Sequence, residues 1–295
     1  MKVLVTGAAG RLGSAVCAML GIQGYQVVGT DRKPARQAGA RFEIVDLLDE
    51  QRVSSLVRGF DAVVHLGNHP RLSSDLPDER LFTENVAMNR NVFQAVVAHR
   101  VPRVVFSSSL QVMIPMPGGA PPAHPYPLPY LPLDGEAPRS PGSNRYALSK
   151  AAAEEALEAI AKENRSLHCS VLRLPALPDG FWLRRFGKGN RVALSDLNWG
   201  EGLTYLLLED AAQVIAATVE RGPVGYHQFL PAQALEIQGC AVRSIIESYY
   251  PRVRLTRPIE TISSLVDVER LKHDIGWGAK RKLAVTLAES GAPLP

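Results

Sequence analysis

The opening twenty residues restrict the fold more than any later stretch. Lys2-Val3-Leu4-Val5 is a short aliphatic, β-branched run, and Thr6-Gly7-Ala8-Ala9-Gly10-Arg11-Leu12-Gly13 follows it. Leu12, Val16, Met19 and Leu20 then recur at helical spacing. This reads as a strand, a tight glycine turn and a helix. Gly7 supplies an unusual backbone angle, Gly10 lets a pyrophosphate approach the main chain, and Gly13 lets helix and strand pack closely. The helix start offers unpaired N–H groups and a positive dipole end to phosphate. A glycine turn alone is a weak signal. Here a second strand, Tyr25 to Thr30, runs into Asp31, eighteen residues beyond Gly13, where an acid receives the ribose hydroxyls of a dinucleotide.

The chain then alternates between strand and helix patterns. After Asp31 comes a polar turn, Arg32-Lys33-Pro34-Ala35-Arg36. Its arginines suit a ribose 2′-phosphate, but Asp31 repels one, so NAD is favoured over NADP. Arg41 to Val45 is a third strand closed by Asp46-Leu47, and Gln51 to Gly59 a short amphipathic helix. Asp61 to Gly67 is an apolar fourth strand of the kind parallel sheets bury on both faces, with His65 expected to pack rather than react. A helical pattern over 78–99 carries Asn85, Asn89 and Asn91, which compete with the backbone and call for a structural reason. A fifth strand, Val101 to Phe106, leads into Ser107-Ser108-Ser109, placing hydroxyls at the carboxyl end of the sheet, where doubly wound folds bind ligands.

Between Pro115 and Pro141 lie ten of the chain's 22 prolines, with Tyr126 and Tyr130 among them. Proline excludes helix and inner strand, so a long stiff loop is expected, in the position of a lid. Asn144 to Lys162 is a strong helix and Leu167 to Leu174 a sixth strand. Beyond it come a loop from Pro175 to Asn198, a helix over 206–219, a strand near 226–230, and helices over 239–250 and 266–275. The expectation is an α/β fold. A doubly wound parallel sheet (Rossmann) spans 1–174, completed by about 204–230, and residues 175–203 and 231–295 form a small C-terminal substrate-binding lobe.

Ser109, Tyr146 and Lys150 make a chemically complete set if the fold gathers them. Tyrosine ionises near pH 10 in water and is a poor base at neutrality. Lys150 is one helical turn from Tyr146 on the same face, and a neighbouring ammonium favours the phenolate. Tyr146 can then take a proton from a substrate hydroxyl while Ser109 orients the oxygen. Bulk properties exclude other classes. The formal charge is only +4 over 295 residues and the arginines are scattered, so no nucleic-acid footprint exists. Cys17, Cys169 and Cys240 have no metal-type spacing, and no metal is expected. No apolar run spans a bilayer, and a strand predicted from residue 2 leaves no room for a signal peptide, so a cytoplasmic protein is expected.

These segments resemble the extended branch of the short-chain dehydrogenase/reductases, the NAD-dependent epimerase/dehydratase family. Thr6 to Gly13 resembles its nucleotide loop, Asp46-Leu47 its adenine-contacting pair, and His65-Leu66-Gly67 its fourth-strand motif. Asn85 and Asn91 resemble its helix asparagines, Val105 to Ser109 and Tyr146-Ala147-Leu148-Ser149-Lys150 its catalytic segments, and Leu172-Arg173-Leu174-Pro175 its approach to the nicotinamide. The resemblance implies catalytic roles for Ser109, Tyr146 and Lys150. It implies cofactor contacts at Gly7, Gly10, Arg11, Leu12, Gly13, Asp31, Arg32, Asp46, Leu47, Leu66, Gly67, Asn85, Ser107, Tyr146, Lys150 and Pro175, and substrate contacts at Ser109, Leu110 and Gln111. It also implies a homodimer paired through the helices bearing Asn85 and Tyr146.

Departures narrow the expected activity. Dehydratases of the family follow the serine or threonine with an Asp-Glu pair, whereas Leu110 and Gln111 stand here, so elimination is not expected. About 30 residues separate Pro175 from Tyr205, short for a nucleotide-diphosphate site, so a smaller sugar-like substrate is the better fit. Arg191 with Leu194-Ser195 resembles the substrate-carboxylate arginine of the family's uronate dehydrogenases, displaced by one residue, although Leu110 and Ala176 depart from their pattern. The expectation is an NAD-dependent oxidoreductase acting on a secondary alcohol or lactol. An epimerase with a transient ketone is the alternative, and an NAD-sensing regulator without turnover is the alternative of another class.

Overall fold

A computed structural model of the chain describes residues 1–35, 41–70, 76–115, 128–178, 180–185, 191–193 and 196–287. Its frame is a seven-stranded parallel sheet of β1 (Lys2–Thr6), β2 (Gln26–Asp31), β3 (Arg41–Ile44), β4 (Ala62–His65), β5 (Arg103–Ser109), β6 (His168–Leu174) and β9 (Gly225–Phe229). The strand order is β3-β2-β1-β4-β5-β6-β9. Chain order reverses beside β1, where Thr6 lies level with His65 of β4, and such a reversal opens a crevice at the carboxyl ends of the strands.

Alternation along β1 splits the core between two faces. Val3 and Val5 pack with Val16, Leu20 and Ile215 beneath helices α1 (Arg11–Ile22) and α6 (Leu208–Arg221). Leu4 joins Val63, Val92, Phe93 and Leu157 beneath α2 (Glu50–Val57), α3 (Asp78–Ala98) and α4 (Arg145–Glu163). A third core, drawn from residues 110–137 and 192–285, is organised around Leu131, Leu133, Trp199, Tyr250 and Leu265.

The sequence reading departs from the structure in the proline-rich stretch and in the segments beyond β6. Residues 128–137 of the proline-rich stretch are framework, not lid. Leu131 and Leu133 are fully buried, and their amides donate to the carbonyls of Arg254 at 2.9 Å and Leu265 at 2.8 Å. Apolar residues between the prolines thus found partners more than a hundred positions away. The lid expectation for 116–127, including Tyr126, lies outside the described residues, as do Arg36, Leu194 and Ser195.

The expected loop from Pro175 to Asn198 contains helix α5 (Gly180–Arg185) and strand β7 (Arg191–Val192). The short strands β8 (Thr204–Tyr205) and β10 (Gln233–Ala234) pair with each other, while β11 (Glu236–Ile237) and β7 both pair with β12 (Ala284–Leu287). Helices α7 (Val242–Tyr249) and α8 (Glu269–Ile275) complete the chain. Among the described residues, no helix is long and apolar enough to cross a membrane.

Candidate active site

The turn after β1 is tight. Gly7 has φ +68°, and a Cβ built on Gly13 would lie 2.2 Å from the Gly7 carbonyl oxygen, so α1 leans directly on the turn. Helix α1 begins without a side-chain cap and with no acid in its first turn, leaving its leading N–H groups available to an anion. Asp31 is fixed at the end of β2, its carboxylate accepting from Ala9 N at 3.2 Å and Lys33 N at 3.3 Å.

Around these residues lies a cavity of about 540 Å³. Its wall includes Gly7, Gly10, Arg11, Leu12, Gly13, Asp31, Arg32, Asp46, Leu47, Leu66, Gly67 and Ser107, so the fold brings most of the expected cofactor contacts together. A glycine-floored groove with an uncapped helix start at one side and a carboxylate at the other fits a dinucleotide. A second cavity of about 550 Å³ shares Leu12, Leu66, Asn68, His69 and Ser107 with the first, and adds Ser109, Leu110, Gln111, Tyr146, Lys150 and Pro175.

Helix α4 carries Tyr146 and Lys150 and is capped by Asn144, which accepts from Tyr146 N at 3.0 Å and Ala147 N at 3.3 Å. Lys150 is 3% exposed. Its Nζ donates to Asn68 Oδ1 and to the Ser107 carbonyl, both at 2.7 Å, and lies 4.7 Å from the Phe106 ring centre and 5.7 Å from that of Tyr146. Burial brings its pKa from 10.5 to about 7, with the charge of Glu154 acting in the opposite direction.

The serines divide their work. The Ser107 carbonyl holds Lys150. Ser108 Oγ donates at 2.6 Å to Glu154, whose fully buried carboxylate also receives Arg173 Nη2 at 2.7 Å and Arg139 Nε at 3.2 Å. Ser109 Oγ accepts from Gln111 N at 3.2 Å and belongs to the substrate-side wall.

The three helix asparagines now have their reason. Thr6 Oγ1 accepts from the amides of Leu66 and Gly67, both at 3.1 Å, so its proton goes to His65 Nδ1 at 2.7 Å. By the same network logic His65 Nε2 donates to Asn89 Oδ1 at 2.9 Å, which also receives Asn68 Nδ2 at 2.9 Å. Burial, reinforced by Lys150, lowers the pKa of His65 to about 3, so it stays neutral and structural, as expected. Asn91 Nδ2 holds the Leu47 carbonyl at 2.9 Å.

Asn85 sits behind the wall. It accepts from His69 N at 2.7 Å and fixes the backbone of that residue, whose imidazole bonds Glu84 at 2.6 Å. Arg191 is exposed on β7 and is not among the wall residues of either cavity. The sequence reading missed Asn68, His69, Asn198 and Glu201, all in the substrate-side wall. Asn68 and His69 directly follow the recognisable fourth-strand motif, which was the available signal; Asn198 and Glu201 come from a stretch with no pattern.

Residues 3–177 match the family model described as NAD dependent epimerase/dehydratase family. A uronate dehydrogenase of Pseudomonas putida is 35% identical over 113 residues, 37% of this chain and 40% of that protein. A UDP-glucose 4-epimerase of Schizosaccharomyces pombe is 28% identical over 188 residues, 58% of this chain and 50% of that protein. The chain therefore spans half or less of the length of either relative.

Among solved structures, the UDP-glucose-4-epimerase of Stenotrophomonas maltophila, with bound NAD and formylated UDP-arabinopyranose, aligns at TM-score 0.66 and 22% identity, covering 96% of this chain and 94% of that one. The uronate dehydrogenase of Agrobacterium tumefaciens aligns at TM-score 0.61 and 20% identity, over 95% and 85% of the two chains. These likenesses agree with the sheet order and the helix layers. With the family match running from β1 through β6 and past Pro175, over more than half of the sequence, the chain belongs to the NAD-dependent epimerase/dehydratase family.

Proposed function

We propose that the chain is an NAD-dependent oxidoreductase that moves hydride to or from a secondary alcohol or lactol carbon of a sugar-like small molecule. The observation that carries this reading is Lys150, buried beside Tyr146 in a cavity that joins the glycine-floored groove. Gly7, Gly10 and the start of α1 would hold the pyrophosphate, Asp31 the adenosine ribose hydroxyls, and Asp46-Leu47 the adenine end. Bound there, NAD supplies the hydride acceptor. Asp31 opposes a 2′-phosphate and favours NAD over NADP.

The rest is done by the chain's own side chains. Tyr146 removes the hydroxyl proton in the oxidative direction and returns it in the reductive one. In its protonated form Lys150, aimed by Asn68 and Ser107, lends positive charge that lowers the cost of the phenolate. Ser109 bonds the substrate oxygen. Leu110 and Gln111 supply no acid–base pair for elimination. The third core, with residues 175–203 and 231–295, serves as the substrate lobe. Half-buried Phe82 and Val86 on α3 and Leu148 on α4 support pairing of two copies through these helices.

The test is to incubate the protein and NAD with uronic acids, aldoses, polyols and UDP-sugars while following nicotinamide absorbance and product stereochemistry. NADH formation is expected with a free sugar-like substrate, and an inverted product without net NADH would assign an epimerase instead. Tyr146→Phe is expected to lower kcat by about 10²–10⁴-fold while NADH fluorescence still reports binding. Turnover by that variant at the wild-type rate would overturn the reading.

A further inference from the structure

The substrate-side wall carries an acid that the proposed mechanism does not use. Glu201 ends the short helical turn Trp199–Glu201 and is 6% exposed. Its Oε1 accepts from Gln111 Nε2 at 2.9 Å and its Oε2 from Asn198 Nδ2 at 2.7 Å. Both donors are neutral amides, and among the described residues no basic side chain pairs with it. A buried carboxylate normally meets a cation or a fuller set of donors. With about four accepting positions on the group, about two are left for whatever occupies the cavity.

The carboxylate is also held in place. Gln111 Oε1 is occupied by Asn144 Nδ2 at 3.0 Å, and Asn144 is the residue that caps α4 two positions before Tyr146. Glu201 therefore has a set position relative to the reactive phenol. Among the described wall residues, nothing comparable awaits a substrate anion. Lys150 is the only Lys or Arg among the described wall residues, and it already donates to Asn68 and Ser107.

We propose that Glu201 determines specificity in this cavity, accepting hydrogen bonds from the hydroxyls of a neutral, hydroxyl-rich substrate and rejecting one that carries a carboxylate. The inference rests on the oxidoreductase reading and deepens it by naming the substrate class. Leu110, Leu174 and Leu177 line the same space, so a like charge brought beside Glu201 is poorly screened. The chain would thus differ from the uronate dehydrogenases it resembles.

The test compares pairs that differ only at the terminal carbon: glucose with glucuronate, and galactose with galacturonate. The neutral member is expected to have at least a 10-fold higher kcat/KM. Glu201→Gln, which Asn198 can accommodate by turning its amide over, is expected to raise KM for the neutral sugar about 10-fold and to erase the preference. Glu201→Asp, which keeps the charge, is expected to keep rejecting the uronate. Equal or better turnover of the uronates by the wild type, or an unchanged ratio in Glu201→Gln, would overturn the assignment.

If no sugar yields NADH, the oxidoreductase reading has failed, and the role of Glu201 is then read by calorimetry. The same pairs are titrated into NAD-loaded Tyr146→Phe with and without Glu201→Gln. Tighter binding of the neutral member, lost in the double variant, supports the assignment. Equal binding of both members, or binding of neither, overturns it.

Discussion

Lys150 is a buried group whose place in the fold costs stability. The fold lowers its pKa from 10.5 to about 7 by desolvation. Between those values the unfolded chain holds the proton and the folded chain does not. Wild-type stability therefore rises with pH across that window, by about 1.4 kcal/mol per unit from this group. Below pH 7 both states are protonated and the full penalty applies. Lys150→Met lacks the group, so in urea melts the wild type is expected to gain on the variant steadily from pH 7 to pH 10. A difference that does not change with pH would show that the ammonium is not desolvated. Burial pushes Cys17 and Cys169 up to about 12, but both proteins share them and their contribution cancels. The four-residue spacing of Tyr146 and Lys150 could be read along the chain; the depressed amine could not, since it depends on packing contributed by Phe106, Ser107 and Asn68.

The strand, turn and helix at the start of the chain act as one element. Gly13→Ala would set a methyl 2.2 Å from the Gly7 oxygen and 2.7 Å from the Ala8 Cα, both main-chain atoms of a turn that has no room to give. The helix must shift away, and the variant is expected to lose about 1–3 kcal/mol in urea melts and to bind NADH at least 10-fold more weakly by fluorescence titration. Gly24→Ala is the control. Its φ of +83° carries a strain of about 1–2 kcal/mol, yet nothing lies within 4 Å, so cofactor affinity is expected to hold. Long elements such as α3 and α4 were legible because apolar residues recur along many turns. Strands β7, β8, β10, β11 and β12 were not, being only two to four residues long and defined by their partners.

Over the whole molecule, the two cavities depend on different parts of the fold. The cofactor groove is built from β1, β2, α1 and the loops after β3 and β4, whereas the substrate wall takes Asn198 and Glu201 from the third core. That core fixes them through Trp199, which stacks on Tyr249 at 3.7 Å and whose carbonyl accepts from Tyr250 Oη at 2.7 Å. Leu133→Ala, at a fully buried site in the same core, is expected to cost about 2–5 kcal/mol. Its substrate KM should rise while the NADH dissociation constant holds. Equal loss of both would mean that the two halves are not separable in this way.

The nucleotide turn, the alternation of strand and helix and the four-residue spacing of Tyr146 and Lys150 were written in the sequence, because each rests on short-range geometry with a fixed spacing. The folding of residues 128–137 into a distant core, the chain of hydrogen bonds from Thr6 to Lys150, and the arrival of Glu201 in the substrate wall were decided only in three dimensions. Those features join residues dozens to more than a hundred positions apart, and no local pattern along the chain records which buried polar atom will meet which partner.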